Sequence, residues 1–139
     1  YWTKFNDEAW NSQDAFTKIF KAHKASGERS YMLGIGSAKV YMALLVNTKT
    51  DVIAVEFAVN SPNLDKTNYD MLFTHKEEIE ERVGAALDWR RLDDKKISRI
   101  LLEIKVNLKD KAEWSEYFSM YKEWAVKVYN GFKPYIGSL

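Results

Sequence analysis

The chain has 139 residues, 46% of them hydrophobic and 29% charged, and it carries no cysteine. That is the composition of one globular domain with a sizeable core, and it excludes a disulfide scaffold, thiolate metal sites and a cysteine nucleophile. A net charge of +1 excludes a broad basic footprint for nucleic acid, and the longest apolar run, Val40 to Val46, is far too short to span a bilayer.

Trp2, Phe5, Ala9, Phe16, Ile19 and Phe20 recur at helical spacing. Asn11 and Ser12 interrupt that stripe, so a first helix is expected to break there and restart. Lys24 to Ser30 reads as a loop around Gly27. Tyr31 to Ile35 predicts a short strand, and Gly34-Ile35-Gly36-Ser37 a turn. Those glycines lead into a strand rather than a helix N-terminus, so they do not make a phosphate cradle.

Val40 to Val46 and Val52 to Val59 predict two strands joined by the turn Asn47-Thr48-Lys49-Thr50-Asp51. Both are apolar on alternate residues of either face, which implies cover on both sides. Pro62 ends the second. A helix is expected to start between Asn63 and Asn68, with Thr67 and Asp70 as its capping arrangement and Gly84 as its C-terminal cap. Leu87 to Leu92 and Ile97 to Val106 then predict a hairpin around Asp93-Asp94-Lys95-Lys96. A final helix follows Asp110 and Glu113. Its stripe is Trp114, Phe118, Tyr121, Ala125, Val128 and Phe132, and Pro134 is expected to stop it.

The expected fold is therefore α+β, layered α/β/α, in the order α-β-β-β-α-β-β-α. It has one mostly antiparallel five-stranded sheet with helices on both faces. Residues 1–139 are expected to form a single domain. Because the first residue is Tyr rather than Met, the chain is expected to be a C-terminal fragment of a longer protein. Tyr1 to Asp14 lacks the apolar core of a signal peptide, and with the absence of cysteine this predicts a cytoplasmic protein.

Charge is uneven. Asn63 to Gly84 holds six acidic and three basic residues, whereas Ala85 to Lys105 holds six basic and four acidic. Arg90, Arg91, Lys95, Lys96 and Arg99 are candidates for a local phosphate-binding patch. The two histidines, His23 and His75, have no second ligand at metal-site spacing. No cofactor, metal site or catalytic set is predicted. The five Trp, eight Tyr and seven Phe mostly fall on core stripes, while Trp10, Trp89, Trp124 and Tyr129 are left as candidate stacking or interface residues.

Glu56 stands alone between Ala54 and Ala58 in an apolar strand. A carboxylate there faces water at an edge, sits in a structural ion pair, or serves a site. If it is buried it needs a partner, and Arg99, also inserted in an apolar alternation, is the best candidate, with Lys95 and Lys96 next.

Several motifs together resemble a prokaryotic family known only as a domain of unknown function. They are Tyr1-Trp2-Thr3-x-Phe5, Gly34-Ile35-Gly36-Ser37, Val55-Glu56, Lys76-Glu77-Glu78-Ile79-Glu80 with Gly84, Leu87-Asp88-Trp89, Leu92-x-Asp94-Lys95-Lys96-x-Ser98-Arg99-Ile100, and Trp114-x-x-Tyr117-Phe118. The resemblance spans nearly the whole chain, with residues 11–29 departing from the pattern. It implies an upstream restriction-endonuclease-like domain and a DNA-related or defence context, and it brings no catalytic residue. The element order is also similar to a restriction-endonuclease-like core, in which Asp51 and Glu56 would fill acidic places. Ala58, however, stands where that site has its lysine.

The expected function is thus a non-catalytic binding or interaction domain, with nucleic acid through the basic patch and an upstream nuclease-like domain as partners, and no membrane. The alternatives are a divergent metal-dependent nuclease using Glu56 and Asp51, or a domain that dimerises through an exposed aromatic stripe on its last helix.

Overall fold

The structure is a computed structural model that describes residues 1–22 and 29–139. Of the predicted loop Lys24 to Ser30, residues 24–28 lie outside the described residues, as does His23, and Ser30 already belongs to the first strand. Helix α1 is Trp2–Ala9 and α2 is Ala15–Ile19. The break falls where Asn11 and Ser12 interrupt the stripe, and Asp14 restarts the helix with a reciprocal capping box to Thr17.

Strands β1 (Ser30–Leu33), β2 (Val40–Asn47), β3 (Val52–Asn60), β4 (Asp88–Arg90) and β5 (Ile97–Lys105) form one sheet in the order β1-β2-β3-β5-β4, and every pair is antiparallel. The architecture is mixed α+β in the expected element order, and it includes no helix long and apolar enough to cross a membrane among the described residues.

Three predicted details are corrected. The helix expected from about residue 63 to Gly84 is two helices, α3 (Thr67–Thr74) and α4 (Lys76–Val83), with His75 at the junction. The cap of α3 comes from Asp65, not Asp70. Asp65 Oδ1 accepts from the Thr67 amide and hydroxyl, while Asp70 turns outward to Arg91. Finally, α5 runs Trp114–Ile136 with Pro134 inside it. Proline removes the amide that would donate to the Asn130 carbonyl and its ring crowds that carbonyl, and the helix ends two residues after it.

The main core lies on the sheet face that carries Tyr31, Leu44, Phe57, Ile100 and Trp89, which the strand register places together. Phe132 of α5 stacks on Phe57 with ring centroids 4.0 Å apart. Trp2 and Phe5 of α1 pack on Tyr31, and Tyr69 of α3 and Phe132 pack on Trp89. Tyr1 donates to the Tyr121 hydroxyl, which donates to the Leu45 carbonyl, tying the N-terminus through α5 to β2.

Strand β3 is buried on both faces, for different reasons. On the first face helices cover it. On the second, Ala54 and Ala58 are short and Glu56 is roofed by Arg99, so neighbouring strand side chains screen them. The lining of this second face comes from the strands and from residues 92–97, with no helix residue among those that border its depressions.

Candidate functional site

The second face is built by strict alternation. The register sets Tyr41 beside Ala58 and Ala58 beside Arg99 in one row across β2, β3 and β5, and Ala43 beside Glu56 and Glu56 beside Leu101 in the next. Alanine at three places on this face (Ala43, Ala54 and Ala58) leaves a floor that larger residues surround. Over Ala43 lies a depression of about 430 Å³, bordered by Met32, Tyr41, Leu45, Ile97, Lys95 and Lys96, with Glu56 and Arg99 in its lining, while Ala54 borders a second depression on the same face.

Arg99 donates through Nε (2.7 Å) and Nη2 (2.5 Å) to the same oxygen, Glu56 Oε2. The Glu56 side chain is 6% exposed and that of Arg99 35%. The carboxylate is thus nearly desolvated while its partner reaches water. Glu56 Oε1 accepts no hydrogen bond among the described residues. Tyr41 lies close to this pair. Burial raises its phenol above the usual range, Glu56 adds to the rise, and Arg99 opposes it.

The other basic residues of the predicted patch divide into two sets. Arg90 bonds Asp88 at 2.7 Å and reaches Glu103 at 3.5 Å. Arg91 is clamped by Asp70 at 2.9 Å and Asp93 at 2.6 Å. Neither is a free cation. Lys95 and Lys96 are exposed and have no ion-pair partner among the described residues. Strand β4 ends at Arg90, two residues before the predicted strand end, because the chain turns through a left-handed Leu92 (φ 54°) and Arg91 swings to α3.

Lys66 was not anticipated. It is buried, and its ammonium donates to the Lys95 carbonyl at 2.6 Å and to Ser98 Oγ at 2.9 Å, while Ser98 Oγ donates to the Arg91 carbonyl. Burial pulls the Lys66 pKa below the ordinary lysine range. This buried cation pins the 91–98 segment to the start of α3, and so sets where Lys95 and Lys96 project. Nothing in the sequence around Lys66 distinguishes it from a surface lysine.

The acidic pair of the nuclease alternative is not assembled. Asp51 sits in the β2–β3 turn with φ 53°, and its Oδ1 accepts from the Leu108 amide at 3.2 Å. Glu56 is five positions further along β3, roughly 16 Å away at about 3.3 Å per residue. His75 stacks on Tyr135, with Nδ1 3.6 Å from Glu78.

The aromatic candidates are mostly spent internally. Trp10 donates to Asn6 and Tyr31, Trp89 donates to Glu80, Tyr129 packs on Phe20, and Lys127 lies over Trp124. Among the described residues the exposed large apolar side chains are Met32, Leu64 and Phe73, and none is on α5. The aromatic stripe that a dimerising helix would need faces inward.

Two exposed carboxylates contribute to the acid dependence of the fold. Hydrogen bonds from Arg91 hold Asp70 below the usual carboxylate range, and the Thr67 hydroxyl and amide do the same for Asp65. Lowered folded-state values mean that this stabilisation is present above the unfolded values, near about pH 4, and is lost as pH falls through the folded ones. Thermal melts from neutral pH downward are expected to hold steady until about that point and then fall. Asp70→Asn is expected to shallow that fall; an unchanged acid slope would show that the Arg91 clamp contributes nothing.

One comparison places the chain among known proteins. The model of the family described as "Domain of unknown function (DUF4268)" matches residues 1–136. No curated protein and no solved structure matches the chain.

Proposed function

The chain belongs to the DUF4268 family, and we propose that it is a non-catalytic binding domain that holds an unpaired nucleic-acid strand on the open face of its sheet. The observation that carries this reading is the position of two unpartnered lysines, Lys95 and Lys96, on the rim of a depression walled by Tyr41. Lysines neutralise phosphates, and an aromatic ring on a sheet is a platform on which bases stack. A flat face with one such ring suits a single strand better than a duplex, whose bases are already stacked and paired.

The resemblance of the motifs to chains with an upstream restriction-endonuclease-like domain supports a role accessory to a nucleic-acid-processing or defence protein. In that setting the domain holds substrate and the neighbour cuts it.

With a net charge of +1 the interaction is local and weak. If Lys95, Lys96 and the exposed side of Arg99 neutralise two or three phosphates, log Kd is expected to rise with log salt at a slope of about 1.5 to 2. Fluorescence anisotropy with a labelled single-stranded oligonucleotide measures this. The Lys95→Glu, Lys96→Glu double variant is expected to abolish binding. Arg91→Glu, by contrast, breaks the Asp70 clamp and is expected to cost stability before affinity. Absence of binding at low salt, or binding indifferent to salt, defeats the reading.

Purified protein incubated with plasmid or single-stranded DNA in Mg²⁺ or Mn²⁺ is expected to leave it uncut, since Asp51 and Glu56 stand apart. Cleavage that disappears in Glu56→Gln would restore the nuclease alternative.

A further inference from the structure

Resting on that reading, we propose that the depression on the sheet face is a socket for one unpaired base, and that Glu56 selects bases that present an amino group. The depression, about 430 Å³, falls within the range of about 300–1,000 Å³ typical of small-molecule sites. Its lining includes the short side chain of Ala43, and its walls are the apolar bodies of Met32, Tyr41, Leu45 and Ile97. Those surfaces suit the face of an aromatic ring.

The lining holds one nearly buried group with unused capacity. Glu56 spends Oε2 on two Arg99 nitrogens and leaves Oε1 uncommitted. A carboxylate with its charge balanced by arginine remains an acceptor only. It therefore matches a ligand edge that donates and rejects one that accepts. Cytosine offers N4–H₂ at the end of its edge, whereas the one donor on the uracil edge, N3–H, stands between O2 and O4, both of which a carboxylate repels; carboxylates read cytosine N4 in this way. In a duplex that edge is occupied by the paired base, so the socket takes an unpaired nucleotide. Lys95 and Lys96 border the same depression and supply cations for the sugar-phosphate of a base held there.

The experiment compares oligo-dC with oligo-dU by fluorescence anisotropy at one low salt concentration. The two differ at the N4 or O4 position and the adjacent N3. Oligo-dC is expected to bind about tenfold tighter, the low end of what one side-chain contact to a base edge discriminates. Glu56→Gln, whose amide both donates and accepts, is expected to bring the two affinities together. Ala43→Leu fills the floor from the open face without removing a charge, and is expected to bring oligo-dC down to the level of oligo-dU. Equal affinities in the native protein, or a preference that survives both variants, overturns the socket and leaves strand binding standing. Failure of both oligonucleotides to bind overturns the socket and the strand reading together.

Discussion

Arg99→Ala is expected to destabilise the protein by about 3 kcal/mol, the low end of the cost of stranding a buried charge. The Glu56 side chain is 6% exposed, and the cations that balance it among the described residues are two nitrogens of Arg99. Removing the guanidinium leaves a carboxylate flanked by Ala54, Ala58 and Ala43, none of which donates. The cost is placed at the low end because Arg99 is itself about one-third exposed, so water enters where it was. For a domain of this length the melting temperature is expected to fall by roughly 10 °C. Glu56→Gln is milder, about 1 kcal/mol, because the Arg99 left behind is already partly hydrated. Replacing Glu56 with Leu and Arg99 with Met together is expected to recover most of the loss, since the desolvated carboxylate is gone as well. Urea titrations of the native protein, of Glu56→Leu and Arg99→Met singly, and of that pair supply the cycle. An Arg99→Ala protein within about 0.5 kcal/mol of native would show that Glu56 is solvated or protonated without its partner.

The Glu56–Arg99 juxtaposition was legible because both residues interrupt an apolar alternation, and a charge in such a place needs a counter-charge. The order of helices and strands was legible for the same kind of reason: periodicity reports which residues lose water. It does not report which charge meets which. Arg90, Arg91, Lys95, Lys96 and Arg99 form one basic cluster by spacing. In space Asp88, Glu103, Asp70 and Asp93 remove two of them from the candidate surface. Asp70 and Asp65 are equally placed by sequence to cap α3; the one whose oxygen meets the Thr67 amide wins, and the other is left to bind Arg91. Lys66 was not legible, because a lysine before a helix is ordinary and its burial depends on the 91–98 segment folding over it. The apolar second face of β3 is also ambiguous in sequence. Alanines read as core there, yet they are buried because taller neighbours stand around them, and that same difference in height opens the depression.

Gly131 of α5 is a residue that the stripe of large apolar residues passes over, although a glycine inside a helix usually marks a close approach. A Cβ on Gly131 would lie 2.5 Å from Val83 Cγ2 and 3.3 Å from the Ile79 carbonyl, both on α4. The first distance is a clash. The second is with backbone, which cannot rotate away, and Val83 is stiff at χ1 in a helix. Gly131 therefore sets the spacing of α4 against α5. That spacing carries further, because Glu80 of α4 accepts from the Leu87 amide and from Trp89 Nε1 and so fixes the start of β4. Gly131→Val is expected to destabilise the fold by about 3 kcal/mol through overpacking, with only a small offset from better helix propensity. Gly131→Ala divides more evenly, an overpacking cost of about 1–3 kcal/mol against a propensity gain of about 1 kcal/mol, and is expected to be the milder variant. The sign of the coupling is the sharper test. Val83→Ala alone opens a void in the core, and Gly131→Ala added to it fills that void while improving the helix. The double variant is thus expected to be more stable than Val83→Ala, although Gly131→Ala does not stabilise the native protein. Urea denaturation of the four proteins measures this. Additive effects, or a Gly131→Val protein as stable as native, would show that the two helices part at no cost and that Gly131 does not set their distance.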